Sequence, residues 1–195
     1  MKVSQLSSTG RDRISVRDAD LEKYCALAIK AGVTHARQID PSSVVTASWV
    51  RLKCQFGCHG YGGGYCCPPY TQTPEETRAV VDSYRRAILF HMEISDTPER
   101  EKISRKCLDA LLELEGTMFK DGFYKALIFV AGPCYLCKKC GVSENKPCQF
   151  PRKARPSMEG CGIDVFQTAR NNGFFIQTLR ERTETTNRYC LMMVD

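Results

Sequence analysis

The sequence lacks any long uninterrupted run of apolar residues. A chain needs roughly 18 or more such residues to cross a bilayer, and residues 1–11 also lack the apolar core of a signal peptide. We therefore expect no membrane segment and a cytoplasmic location. Thiols stay reduced in that compartment, so a disulfide framework is not expected.

A recognised nucleic-acid-binding motif is also missing. The chain has 28 Lys and Arg against 22 Asp and Glu, a net charge of +6. These basic residues are not interleaved with the aromatic side chains on which unpaired bases stack. We therefore expect no nucleic-acid partner.

Cysteine, by contrast, is abundant, with 12 among 195 residues. Four of them follow Gly132 and Pro133 in the pattern C-x2-C-x2-C-x7-C: Cys134, Cys137, Cys140 and Cys148. Three thiols at this strict spacing are typical of a four-iron four-sulfur cluster. Structural zinc sites more often use two separate C-x2-C pairs, so a run of three is less typical of zinc. Zinc remains the alternative metal.

An earlier block holds four more cysteines within a glycine-rich segment: Cys54, Cys58, Cys66 and Cys67. Glycines allow a backbone to approach a bound centre closely. Neighbouring side chains diverge, so Cys66 and Cys67 are not expected to ligate the same ion, and one of them could bind a second centre or none. The eight cysteines of the two blocks are the predicted metal ligands.

The remaining cysteines favour different roles. Cys25 and Cys107 fall on apolar helical stripes and Cys190 in an apolar strand, where a free thiol is an ordinary core residue. Cys161 stays open as a ligand, a reactive thiol or a core residue. The three histidines are further possible ligands: His35, His59 and His91.

Basic residues surround the second cysteine block. Thiolate-ligated clusters are anionic, so these side chains could offset the charge of the cofactor or attract an acidic redox partner. The predicted cofactor-contacting residues are Lys138, Lys139 and Arg155.

The chain reads as one domain, residues 17–195, behind a flexible tail, residues 1–16. Apolar periodicity, caps and glycine stops predict helices at 18–31, 73–85, 97–122 and 157–172. They predict strands at 35–39, 42–53, 87–92, 126–131, 174–179 and 189–194.

Alternation of strands and helices predicts an α/β fold with a mostly parallel sheet and helices packed on it. Both cysteine blocks then follow strands and lie at the C-terminal edge of the sheet, where ligands bind in such folds. At one edge they face each other, and they hold two centres or complete one another's site.

Three segments together resemble a prokaryotic family of unknown function described as predicted metal-binding proteins, found largely in anaerobes. They are Cys66-Cys67-Pro68-Pro69-Tyr70-Thr71 with the following Thr73-Pro74-Glu75-Glu76, the Gly132-Pro133-Cys134 run, and Lys153-Ala154-Arg155-Pro156-Ser157-Met158-Glu159 with Gly162-Ile163-Asp164-Val165. The resemblance covers most of the chain. It implies metal binding and no particular reaction.

Three functions are compatible with these features. The leading hypothesis is a cytoplasmic protein with one or two four-iron four-sulfur clusters that transfers electrons to a partner protein. A second is an enzyme whose cluster keeps one iron open for a small substrate; Glu159 and Asp164 are the nearest acid–base candidates, although carboxylates at helix starts are commonly caps. The third is an interaction module held together by zinc.

Overall fold

The structure, a computed structural model, describes residues 11–181 and 183–195. Its elements, in chain order, are α1 (Arg11–Lys30), β1 (His35–Ile39), α2 (Ser48–Gly57), α3 (Pro74–Asp82), β2 (Ala87–Ile94), α4 (Arg100–Lys120), β3 (Leu127–Phe129), α5 (Val165–Asn171) and β4 (Thr186–Met193). Helix α1 begins within the predicted tail, of which residues 1–10 lie outside the described part. None of the described helices is both long and apolar enough to cross a bilayer.

The four strands form one sheet in the order β1-β2-β4-β3, and every neighbouring pair is antiparallel. The prediction of a mostly parallel sheet is therefore wrong. Strands β2 and β3, which α4 connects, do run in the same direction, as in a parallel crossover. However, β4 enters between them and pairs with both, so they are not neighbours.

Two of the predicted strands are also wrong. Without them, strands and helices alternate less regularly than the sequence suggested. Residues 42–53 form a short 3-10 turn and then helix α2, with Val44 buried before the helix and Val50 buried on it. Residues 174–179 have no regular secondary structure. Short apolar segments of this kind fit helix and strand patterns equally well.

Strong local signals were confirmed. Thr73 and Glu76 form the predicted capping box at the start of α3, with Pro74 in the first turn. Strand β2, a nearly continuous apolar run, is buried on both faces of the sheet.

One core lies on each face of the sheet. The first packs α1 and α4 against the sheet through residues that include Leu21, Leu111, Ile88, Phe90 and Met192. The second lies beneath α3 and α5 and includes Val81, Ala169, Leu89, Phe129 and Leu191. The cysteine blocks lie outside these two cores, the first from the end of α2 onward and the second after β3.

A buried ion pair links the first core to the loop after Cys148. Glu115 of α4 accepts a hydrogen bond from the backbone N–H of Ile128 at 2.9 Å. The same carboxylate accepts from Arg155 Nε, also at 2.9 Å. Helix α4, strand β3 and the segment that follows the second cysteine block therefore meet at one carboxylate.

Candidate metal centre

The first cysteine block begins on helix α2 and not after a strand. Cys54 lies in the last turn of α2, and Cys58 is its C-terminal cap, with its N–H bonded to the Cys54 carbonyl. Residues four apart lie on the same side of a helix. The helix end therefore places these two thiols together.

Arg51 fastens this block to the rest of the molecule. Its Nη1 donates to Thr71 Oγ1 at 3.0 Å and to the carbonyls of Gln72 and Gly160, both at 2.8 Å. These bonds tie α2 and the end of the first loop to the 3-10 turn Glu159–Cys161. The sequence carried no signal for this role, because the partners are backbone groups from distant segments.

The adjacent Cys66 and Cys67, both buried, contact different neighbours. A Cβ atom on Gly60 would lie 3.5 Å from both the Cys58 and the Cys67 sulfur, so Cys67 is close to Cys58. Cys66 instead makes a side-chain hydrogen bond with Cys134 of the second block. Neighbouring thiols thus serve two different groups of cysteines.

The second block leaves β3 through Gly132, whose φ of 71° lies in the left-handed region that favours glycine. Further on, a Cβ on Gly141 would lie 2.7 Å from the backbone oxygens of Lys146 and Pro147. Only glycine fits this close approach. The chain turns back on itself at Gly141, which brings Cys148 closer to Cys140.

The two blocks pack directly on one another. The Tyr65 hydroxyl donates to the Lys146 carbonyl at 2.7 Å, and a Cβ on Gly64 would lie 3.8 Å from the Cys140 sulfur. Together with the Cys66–Cys134 hydrogen bond, these contacts gather all eight predicted ligands into one region.

The electrostatic interactions divide the eight thiols into groups. Burial, and then the neighbouring Cys58 and Cys54, raise the pKa of Cys67 to about 11; we call Cys54, Cys58 and Cys67 the first trio. Burial and then Cys134, Cys140 and Cys148 raise the pKa of Cys137; Cys137, Cys140 and Cys148 are the second trio. Cys66 and Cys134, the bridging pair, lie between them.

This donor set fits a metal centre. Burial and neighbouring thiols raise the pKa of Cys54, Cys67 and Cys137, whereas the hydrogen bond with Cys66 lowers the pKa of Cys134 to about 6. A bound cation would compensate for the negative charge that such thiols carry as thiolates. In the described part of the chain, no three cysteine sulfurs lie within 4.8 Å of one another. The thiols are gathered, but they are more widely spaced than the ligands of a single small ion.

The predicted cofactor-contacting cations have varied surroundings. Lys138 is exposed. Lys139 pairs with Glu144 at 2.9 Å, and Lys146 reaches the same carboxylate at 2.7 Å. Arg155 is bound to Glu115. A contact of Lys138, Lys139 or Arg155 with the cofactor stays a prediction.

The acid–base candidates differ in position. Asp164 caps α5 by accepting from the Gln167 N–H at 2.9 Å, as expected for a carboxylate at a helix start. Glu159 lies beside the centre, where its carboxylate accepts from the Gly132 N–H at 3.4 Å. Burial raises the pKa of Glu159.

The other four cysteines lie in the two cores or pack against them. Cys107 and Cys190 are buried in the first core, with Cys25 packed against it, as predicted. Cys161 is fully buried in the second core, and burial raises its pKa to about 12. All twelve cysteines are free thiols.

The pKa of Cys161 predicts that this thiol is unreactive in the folded protein. At pH 8 a thiol with a pKa near 12 is thiolate to only about one part in 10⁴, so its alkylation should be roughly 10³-fold slower than that of an ordinary cysteine. Iodoacetamide labelling followed by peptide mass mapping measures this rate, and the urea-denatured chain gives the reference. Equal labelling of Cys161 in both states would show that the thiol is accessible and activated.

One histidine lies in the first cysteine loop, and the other two lie on the sheet. His59 is exposed in the first cysteine loop. His35 and His91 lie opposite each other on β1 and β2, with their Nδ1 atoms 3.2 Å apart. The sequence marked both as possible ligands, but the pairing of strands far apart in the chain had no signal in their spacing.

A sheet covered on both faces, with two packed cysteine-rich loops beyond it, defines a metal-binding protein of mixed helices and antiparallel strands. The chain belongs to the family described as predicted metal-binding protein (DUF2284), which it matches over residues 37–194. No significant match was found among curated proteins or solved structures.

Proposed function

We propose that this metal-binding protein carries two four-iron four-sulfur clusters and transfers electrons to a partner protein in the cytoplasm. The observation that carries the proposal is the arrangement of eight thiols in one region as two trios and a bridging pair. Eight is the number of thiolates that two clusters with four cysteine ligands each require.

The spacing of the thiols favours clusters over zinc. Tetrahedral zinc with Zn–S bonds of about 2.3 Å holds its sulfurs about 3.8 Å apart. No three cysteine sulfurs in the described ranges, 11–181 and 183–195, lie within 4.8 Å of one another. A cluster with an iron at each of four corners spaces its thiolates more widely than one ion does.

The electrostatic contacts also support an assignment of ligands. Besides burial, Cys134 raises the pKa of both Cys67 and Cys137. Because its backbone N–H is also donated to the Cys67 thiol, we assign Cys134 to the first trio. Cys148, a member of the second trio, is among the neighbours that raise the pKa of Cys66. Cys66 would therefore complete the second trio. Each block thereby lends one cysteine to the other's centre, as occurs in two-cluster ferredoxins.

The surface position of the site supports electron transfer. Such clusters take up and release single electrons when bound. Cys58 and Cys134, one in each proposed ligand block, are exposed, which places the centre within reach of a docked protein. Lys138 is exposed, and Lys139 and Lys146 share the single carboxylate of Glu144. These side chains give the face a net positive charge suited to an acidic partner.

The test is the metal and sulfide content of protein purified without oxygen. We expect about eight irons and about eight acid-labile sulfides per chain, with a brown visible absorption that dithionite bleaches. About four of each would limit the proposal to one cluster. Stoichiometric zinc in a colourless protein would contradict it and identify the cysteine loops as a zinc-held module.

A further inference from the structure

A second group of ligand atoms lies on the sheet. His35, His91 and Glu93 place one ligand atom each within 4.8 Å of one another. The Nδ1 atoms of the two histidines are 3.2 Å apart, and His91 Nδ1 lies 4.0 Å from a Glu93 oxygen. We propose that these three side chains bind a divalent transition-metal ion, with zinc as the expected occupant.

The sheet itself creates this geometry. His35 and His91 are direct partners in the antiparallel register of β1 and β2, so their side chains leave the same face from adjacent strands. Glu93 lies two residues after His91 on β2 and therefore also points to that face. Strand β2 is buried along almost its whole length, whereas β1 is an edge strand in which only Ile39 is buried. The site therefore combines a ligand on a buried strand with a ligand on an exposed edge.

Asn187 on β4 orients the central ligand. Its Oδ1 lies 2.7 Å from His91 Nε2, so this nitrogen is the one that carries the hydrogen in the neutral ring. The Nδ1 lone pair of His91 is then directed toward His35. Metal-binding histidines characteristically donate their other N–H to such a partner.

The surrounding rings hold His91 in place. Its imidazole stacks on Tyr189, with centroids 4.6 Å apart, and Phe174 meets it edge-on at 5.6 Å. His91 is buried, whereas His35 and Glu93 are exposed. The buried ligand is therefore fixed, and the two exposed ligands can adjust around an entering ion.

The distances suit zinc or a similar ion. Two nitrogens bound at about 2.0–2.1 Å in tetrahedral geometry lie about 3.3 Å apart, close to the 3.2 Å between these Nδ1 atoms. Without metal, one proton of His35 can bridge the two nitrogens. On binding, that proton leaves Nδ1, and because His35 is exposed its Nε2 can carry the hydrogen in contact with water. Three protein ligands leave a fourth position for water.

Zinc titration of anaerobically purified protein, with its cysteine-bound metal in place, tests the proposal. We expect one additional zinc per chain in competition with a chelating dye. X-ray absorption at the zinc edge should show this zinc bound to nitrogen and oxygen at about 2.0–2.1 Å, without the Zn–S distance of about 2.3 Å that cysteine ligation gives. If the cysteines hold iron, this readout separates the site from the cysteine centre directly. If they hold zinc, the difference between the spectra of the titrated and the untitrated protein does so.

Variants of the exposed ligands complete the test. Loss of a residue that only hydrogen-bonds to a metal ligand weakens metal binding by about 10–100-fold. His35→Ala removes a ligand itself, so it should weaken zinc binding by more than about 100-fold. Glu93→Gln should weaken it less. His59→Ala removes the one histidine outside the site and should leave the additional zinc in place. Absence of the additional zinc, zinc bound only by sulfur, or equal affinity in His35→Ala would each overturn the proposal.

Discussion

Replacing Cys66 and Cys137 together by alanine should remove no more iron than replacing either alone. In the proposed assignment both cysteines belong to one cluster, with Cys140 and Cys148. Loss of either ligand releases that cluster, so each variant should retain about four of about eight irons per chain. Iron and sulfide analysis of the two single variants and the double variant measures this effect.

The crossed pair gives the opposite result. Cys134→Ala with Cys137→Ala removes one ligand from each proposed cluster, so this double variant should lose nearly all its iron. Both cysteines lie in the second block, so loss of both clusters would show that this one block supplies ligands to each of them. Cys25→Ala, a change at a half-buried thiol packed against the first core, should keep the full iron content.

A different pattern would identify a different arrangement. If each block supplied all four ligands of its own cluster, the crossed pair would retain half of the iron and Cys66→Ala with Cys137→Ala would lose nearly all of it. If a single cluster were shared, one suitable single variant would remove all the iron. Each outcome is separated from the others by a difference of about four irons per chain.

The two cysteine blocks that the sequence singled out pack on one another in the structure, whereas the predicted sheet is wrong. Cysteine spacing is a local property, so the blocks at 54–67 and 134–148 were recognisable without any knowledge of the fold. Strand direction depends on where the last strand pairs. Strand β4 inserts between β2 and β3, and no local pattern in residues 186–193 specifies that position.

The contacts of the adjacent Cys66 and Cys67 illustrate the same limit. The rule that adjacent side chains diverge predicted that Cys66 and Cys67 have different partners, and the structure places Cys67 near Cys58 and Cys66 at Cys134. The first block was expected to follow a strand, whereas it follows helix α2. Because Cys58 comes four residues after Cys54, the helix places both thiols on one side. A strand that ended at residue 53, as predicted, would not have specified where the Cys58 thiol lies.

Replacing Arg155 by methionine should destabilise the fold by about 3–5 kcal/mol, the usual cost of removing one partner from a buried ion pair. The side chain of Glu115 is 7% exposed and that of Arg155 is 22% exposed. The variant leaves the Glu115 carboxylate buried with the Ile128 N–H as its remaining neighbour. Urea denaturation of the metal-loaded protein, followed by circular dichroism without oxygen, measures the loss of unfolding free energy.

Two further variants separate the ion pair from general damage to α4. Glu113→Gln changes an exposed carboxylate on the same helix and should alter the unfolding free energy by no more than about 0.5 kcal/mol. Glu115→Leu combined with Arg155→Met removes both charges and should recover part of the loss. Recovery is incomplete because the buried Ile128 N–H then lacks its acceptor, at a cost of about 1–3 kcal/mol.

The double variant decides whether the charge or the packing matters. If the effects of Glu115→Leu and Arg155→Met simply add, the two side chains act independently, and the ion pair does not explain the anchoring of this segment. If the double variant is more stable than Arg155→Met alone, the isolated buried carboxylate is the main cost.

Because Arg155 follows Cys148 in the same loop, the destabilised single variant should also lose iron from the second trio first. The first trio, tied to the turn at Gly160 by Arg51, should retain its cluster.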